Sequence, residues 1–403
     1  MNAPHNLPIG DPLAELARTT LTDHWREPGF TVPNADVYPH QWLWDSCFHA
    51  VCWAAFGDAE RALAELTNVF DAQAPDGFVP HVRYWTDPDG LAGFWGRSGS
   101  SVVTQPPMYG HAVAELHRRG VAVPAELVDR AWAGLRHLLV RRPRPGGGVA
   151  LLHPWESGCD HSPRWDAWCP GGFDDRRWYE RKGDLVASLI VPAAGGPVAN
   201  PAFSVASAGF DALVVFNTWE LASVQREPRV EALADEVAAS LADRFDAELV
   251  TWVDVVDDDD PLASDRVAAG ATTASGRART LDALLPLLVD GRPDVVDAAL
   301  GALVDPAAHG APFGPTGVHR DEPAFEPDQY WRGPAWPQLT YLLWLGARAA
   351  GRDDVAGRLA ASLRAGAETS GLAEYWNPDS GAALGARPQS WTALAAVVGA
   401  SAD

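Results

Sequence analysis

Apolar residues recur along the chain at intervals of three and four, the spacing that lays one stripe along an α-helix, while the strict alternation of half-buried strands is scarce. Between positions 124 and 140, Leu127, Ala131, Leu135 and Leu138 share a face, and Pro124 stands where a first helical turn accepts proline. Asp58 follows Gly57 as an N-cap follows a helix stop, with Leu63, Leu66 and Phe70 supplying the next stripe. Read in order, such segments predict about twelve helices, at 11–24, 42–56, 58–73, 106–118, 124–140, 203–224, 227–245, 278–289, 293–303, 336–350, 353–370 and 388–401.

The connections carry more information than the ends. Those after the second, fourth, sixth, eighth and tenth helices are only a few residues long, as helix hairpins require, whereas the others are long and rich in Gly, Pro and Trp. In antiparallel helices this alternation places every long loop at one end. The expectation is an all-α fold, an (α/α)6 barrel or toroid whose long loops form a bowl, in a single domain spanning 1–403. An α-solenoid would carry more uniform loops and a repeat consensus, neither of which is present.

Composition narrows the function. Hydrophobic residues make up 47% of the chain and charged residues 21%, as in a folded protein with a large core. The net charge of -22 argues against nucleic acid and against an anionic membrane surface, because both draw affinity from clustered cations. No basic-then-apolar leader opens the sequence and no run of eighteen apolar residues occurs, so a cytoplasmic protein is expected. Cys47, Cys52, Cys159 and Cys169 have no zinc spacing and are too few to scaffold the fold, which points to reduced, buried thiols. The 18 tryptophans are unusual, and many stand in Gly/Pro-rich segments where flat faces can line a concave site.

Five clusters fall in or beside the long connections: YPHQWLWD (Tyr38–Asp45), QAPDGFVPH (Gln73–His81), ESGCDHSPRWD (Glu156–Asp166), DQYWRGPAW (Asp328–Trp336) and EYWNP (Glu374–Pro378). In a toroid they converge on the bowl. Carboxylates and amides beside aromatic faces suit a polyhydroxylated ligand, since rings stack on the C–H face of a sugar while the acids accept its hydroxyl protons. Serine-hydrolase, P-loop and HExxH motifs are absent, and neither a metal nor a cofactor is expected. The acidic run Asp257–Asp260 is short enough to be a solvated loop, although terpene cyclases also use aspartate motifs on α/α barrels. Glycoside hydrolysis needs two carboxyl groups on opposite sides of the scissile bond, and the clusters nominate Glu156 or Asp160 against Glu374. Spacing alone does not assign acid and base.

Taken together and in this order, ESGCDHSPRWD, QAPDGFVPH, DQYWRGPAW and EYWNP resemble glycoside hydrolase family 63, in its bacterial mannosylglycerate/glucosylglycerate hydrolase branch, across roughly residues 36 to 395. Trehalases share the ESGxD element. The resemblance implies an (α/α)6 barrel and an inverting exo-acting α-glycosidase of a small α-glucoside, a disaccharide or a glucosylglycerate-like solute. A trehalase-like enzyme and a non-catalytic sugar-binding toroid are the alternatives. By motif position, Asp160 is implied as general acid and Glu374 as general base, about 6.5–9.5 Å apart to admit water. Asp160 should keep its proton near neutral pH while Glu374 stays ionised.

The same mapping implies that Tyr38, Trp42, Trp44 and Asp45 wall the sugar subsite, completed by Gln105, Tyr330, Trp331, Trp336 and Gln389, with Glu156 and Arg164 paired in support of the Asp160 loop. The implied ligand is a small neutral or weakly anionic glycoside. One difference stands out. Glycerate-releasing relatives carry an arginine-bearing loop after SPRWD that binds the substrate carboxylate; here AWCPGGFDDRRWYERKGDLV follows, whose Arg176, Arg177, Arg181 and Lys182 could replace that role although their positions do not match.

Overall fold

The computed structural model describes residues 10–169, 171–256 and 277–398, so the Asp257–Asp260 run lies outside the described residues. Six helices form an inner ring: Leu43–Ala55, Tyr109–Arg118, Ala208–Ala222, Leu281–Leu288, Pro337–Ala349, and the turn Ser390–Ala393 running into Leu394–Val397. Each packs on the next, and the last returns to the first. Around them stand Pro12–Asp23, Ala59–Phe70, Ala125–Arg141, Pro228–Ala242, Pro293–Val304 and Asp353–Ser370. This is the (α/α)6 toroid.

Sequence separates the two rings. Every residue of Leu43–Ala55 is buried, as expected for a helix covered on all sides. The outer Asp353–Ser370 instead buries one stripe, Val355, Ala356, Leu359, Leu363 and Ala367, and turns its charges outward. It ends at Gly371, whose left-handed backbone closes the helix. The inner Leu281–Leu288 is tightened into a 3-10 helix, because Pro286 inside it lacks an amide hydrogen and crowds the preceding turn.

All twelve expected helices have a counterpart. Among the described residues, two further α-helices lie within the long connections, beside short 3-10 turns: a single turn at Ala92–Trp95 and the longer Asp175–Ala187. Asp174 caps the latter by accepting from the Arg177 amide at 3.0 Å. Its buried stripe is Trp178, Lys182, Leu185 and Val186, so a lysine occupies a position where helical periodicity calls for an apolar residue. Short strand pairs dress the loops at the bowl, among them Gln41–Trp42 with Val82–Arg83 and Tyr375–Trp376 with Ala383–Leu384. Among the described residues, no helix is long and apolar enough to cross a membrane.

Candidate active site

Asp160 follows a 3-10 turn, Pro154–Ser157, that ends on the left-handed Gly158. A Cβ at Gly158 would stand 2.6 Å from the Trp44 ring, so glycine lets the loop close onto the inner helix. Glu156, in that turn, is 0% exposed and receives both Arg142 guanidinium arms at 2.7 and 2.8 Å, plus the Leu152 amide at 2.7 Å. Arg164 bonds Asp254, Asp282 (2.6 Å) and the Ser207 hydroxyl (2.6 Å), tying the end of the segment to the inner ring. Glu156 and Arg164 are therefore not each other's partners, contrary to expectation: each already has a buried group of opposite charge, and a buried ion left unpaired would cost several kcal/mol.

Helix Asp175–Ala187 lies against this loop. The Trp178 indole donates to the Asp160 carbonyl at 2.7 Å, and His153 Nε2 donates to the Lys182 carbonyl at 3.0 Å. Lys182 Nζ then meets Asp160 Oδ2 in an ion pair, with His161 Nε2 at 3.3 Å. Lys182 is 2% exposed and the Asp160 side chain 14%. Burial alone would push the Asp160 carboxyl up, but the Lys182 ammonium, with a contribution from His161, holds it at about 2.

Glu374 sits at the start of a hairpin on the far side of the bowl. It is 3% exposed; Oε1 accepts from the Tyr38 hydroxyl at 3.0 Å and Oε2 from the Ala386 amide at 2.9 Å. Gly385 has a left-handed backbone, and a Cβ there would fall 2.5 Å from Glu374 Oε2, so that amide reaches the carboxylate only past a glycine. Burial raises the Glu374 carboxyl to about 7 against these two bonds, and the charge of Asp160 adds to the rise. In the free protein the expected ionisation is thus inverted: Asp160 is the charged acid and Glu374 the one near neutrality. The cause is the cation, present on one side and missing on the other.

The remaining expected residues gather here, though not all as walls. Tyr38 and Tyr330 feel the charges of both Asp160 and Glu374, and Asp45, buried in the first turn of its helix, feels Glu374. Trp42 lies edge-on to Tyr38 (5.8 Å) and His81 (5.2 Å). Trp44 is buried, its amide donating to Gln105 Oε1 at 3.3 Å and its ring against Trp391. Trp331 stacks on Trp336 at 3.5 Å, and Trp336 stacks also on Tyr375. Fully buried and so covered, Trp336 underlies the site and offers no face to a sugar.

Trp331 itself holds φ 58°, a backbone region that costs a side chain of its size about 1–3 kcal/mol and persists only where neighbours fix it. The indole nitrogens of Trp42 and Trp336 and Gln389 Oε1 are buried without a protein partner, which leaves open hydrogen-bonding capacity around the bowl. Of QAPDGFVPH, His81 reaches this region, whereas Gln73 is pinned to the Arg130 carbonyl and Asp76 to the Gly196 amide. Among the described residues, no His, Cys, Asp and Glu side chains are grouped as a metal would need.

Lys182 had no assigned place beside Asp160, yet a signal exists. It is the one lysine among the 31 Lys and Arg residues of the chain. An ammonium is more strongly hydrated than a guanidinium, so its burial in the site is costly.

Opposed carboxylates from distant loops, in the bowl of an (α/α)6 toroid lined by aromatic rings, define the glycoside hydrolase class. Residues 38–392 match the family model described as the mannosylglycerate hydrolase MGH1-like glycoside hydrolase domain, and the chain belongs to that family. It is 30% identical to mannosylglycerate hydrolase of Thermus thermophilus, over 91% of this chain and 96% of that one. With glucosylglycerate hydrolase of Mycolicibacterium hassiacum the identity is 28%, over 89% and 91%. The crystal structure of the family 63 mannosylglycerate hydrolase of Thermus thermophilus, in complex with Tris and D-glycerate, superposes with a TM-score of 0.79 at 27% identity, covering 96% of this chain and 99% of that one. The protein is an enzyme, a glycoside hydrolase.

Proposed function

We propose that the chain is one catalytic unit that hydrolyses a small α-glycoside of glycerate with inversion, Asp160 serving as general acid and Glu374 as general base. The observation that carries the reading is that two carboxylates, from loops far apart in sequence, face one aromatic bowl closely enough for the charge of Asp160 to raise the proton affinity of Glu374 and for Tyr38, bonded to Glu374, to feel both. Glycerate as the leaving group rests on what the relatives are named for and on a buried cation beside Asp160.

In the productive complex Asp160 donates a proton to the glycosidic oxygen as the C–O bond breaks. Glu374 takes a proton from the water that attacks the anomeric carbon from the opposite face. Tyr38 and the Ala386 amide hold the Glu374 carboxylate in place for that water. Trp42, Trp331, Tyr330, Asp45, Gln105 and Gln389 bind the sugar, with Trp44 and Trp336 beneath them.

A second reading reverses the roles, and the ionisation of the free protein favours it, since Glu374 is the carboxyl nearer to holding a proton. It would leave Asp160 as the base with Lys182 against one of the two oxygens that share its charge. Anomer-resolved NMR on glucosylglycerate, mannosylglycerate, glucosylglycerol, trehalose, kojibiose and isomaltose tests substrate and stereochemistry together. The β-anomer of the free sugar is expected first, from a glycerate glycoside. An α-anomer as first product rules out inversion, and hydrolysis of trehalose alone rules out glycerate.

A further inference from the structure

The resting site poses a chemical problem. A general acid paired with an ammonium is a carboxylate, and a carboxylate has no proton to give. Among the histidines facing Asp160, burial holds His81 near 3 and His153 near 4, and lowers His161, which acts on Asp160 in the same direction as Lys182 but less strongly. The other titratable groups that feel Asp160 are Glu374, Tyr38, Tyr330 and Cys159, all neutral or negative. Lys182 is therefore the principal cation that keeps the proton off. It reaches Asp160 from a different element, helix Asp175–Ala187, anchored by Trp178 and His153, and its ammonium also lies 5.4 Å from the Trp155 ring.

The residue type matters. An arginine would clamp a carboxylate through two parallel bonds in a fixed fork, whereas an ammonium on a flexible stem exchanges acceptors by rotating a few bonds. In any glycoside of glycerate the carboxylate carbon is bonded to the carbon bearing the glycosidic oxygen, or stands one atom beyond it. A substrate placed for protonation by Asp160 therefore brings its own carboxylate to the neighbourhood of Lys182.

We propose that Lys182 is a specificity-determining relay: the carboxylate of an anionic leaving group takes the Lys182 ammonium from Asp160, and Asp160, left buried beside a second negative charge, takes up a proton and becomes the general acid. This rests on the reading of Asp160 as acid. The proton comes from solvent, passes to the glycosidic oxygen as the C–O bond breaks, and is balanced by the proton Glu374 takes from water and later returns to solvent. When the leaving group departs, Lys182 returns to Asp160. A neutral glycoside cannot trigger the exchange, so selectivity for an anion appears in kcat as well as in KM.

Lys182→Met, assayed on glucosylglycerate and on its neutral counterpart glucosylglycerol, tests the relay. Loss of the cation should raise kcat on glucosylglycerol about tenfold, as expected for about one unit of rise in the Asp160 proton affinity. It should also lower kcat and raise KM on glucosylglycerate, collapsing the ratio of the two substrates by about a hundredfold. Lys182→Gln should move both substrates in the same directions, and carries the test if the methionine variant fails to fold. Equal changes on both substrates would make Lys182 structural, and a loss on glucosylglycerate with glucosylglycerol unmoved would make it a simple anchor; either overturns the relay. Asp160→Asn on α-glucosyl fluoride, whose leaving group needs no proton, separates the two layers. A loss on glucosylglycerate far beyond the loss on fluoride upholds the acid assignment whatever Lys182 does, while equal losses overturn that assignment and the relay with it.

Discussion

Asp160 faces a lysine ammonium, whereas Glu374 faces only neutral donors, the Tyr38 hydroxyl and the Ala386 amide. Both carboxylates sit beside a left-handed glycine and both are largely withdrawn from water, yet one is held at about 2 and the other raised to about 7. Burial acts in the same direction on each, so the formal charge of the partner decides the outcome. Two dipolar donors soften the desolvation of a carboxylate without cancelling it. One full positive charge at contact distance more than cancels it. On the proposed inverting cycle, with Asp160 as acid, the free enzyme thus holds its proton on the side opposite to the one used first, and the substrate would have to redistribute it.

The largest effects expected from breaking this comparison are on turnover. Asp160→Asn and Glu374→Gln should each lower kcat on glucosylglycerate by about 10²–10⁴, measured in steady state, because each removes one proton-transfer group. Next comes the frame of the Asp160 loop. Glu156→Ala strands the Arg142 guanidinium in a buried site, and denaturant unfolding should report a loss of about 3–5 kcal/mol.

A smaller change is expected from Gly158→Ala, which sets a methyl group against Trp44 and forces a left-handed backbone: about 1–3 kcal/mol by unfolding, with a matching fall in kcat as Asp160 shifts. The smallest concerns Glu374. On α-glucosyl fluoride only the base is needed, and Glu374 accepts a proton only when ionised. kcat/KM should therefore rise as pH increases through about 7 and fall away below it. Tyr38→Phe removes a bond that stabilises the ionised form, so this limb should move to higher pH, by about one unit or less.

The two rings were legible because long apolar stripes at helical spacing survive any loop chemistry, and the alternation of short and long connections, from Gly57 to Gly351, told which end holds the site. The helix Asp175–Ala187 was not, since Lys182 interrupts the stripe of Trp178, Leu185 and Val186. Glu156 and Arg164 share a segment, which suggested a pair, whereas their partners Arg142, Asp254 and Asp282 are set by tertiary packing. The Ala386 amide left no trace at all, because a backbone donor has no residue type to read; only Gly385 hints that something must pass close by.

The central claim is the division of labour between Asp160 and Glu374, and one paired measurement addresses it most directly: Asp160→Asn and Glu374→Gln, each assayed on α-glucosyl fluoride and on glucosylglycerate under the same conditions. With Asp160 as acid and Glu374 as base, Glu374→Gln should lose about a hundredfold or more on both substrates, while Asp160→Asn should lose that much on glucosylglycerate and at least about tenfold less on the fluoride. The opposite pattern, with the fluoride spared in Glu374→Gln and lost in Asp160→Asn, would assign the roles the other way round and contradict the account.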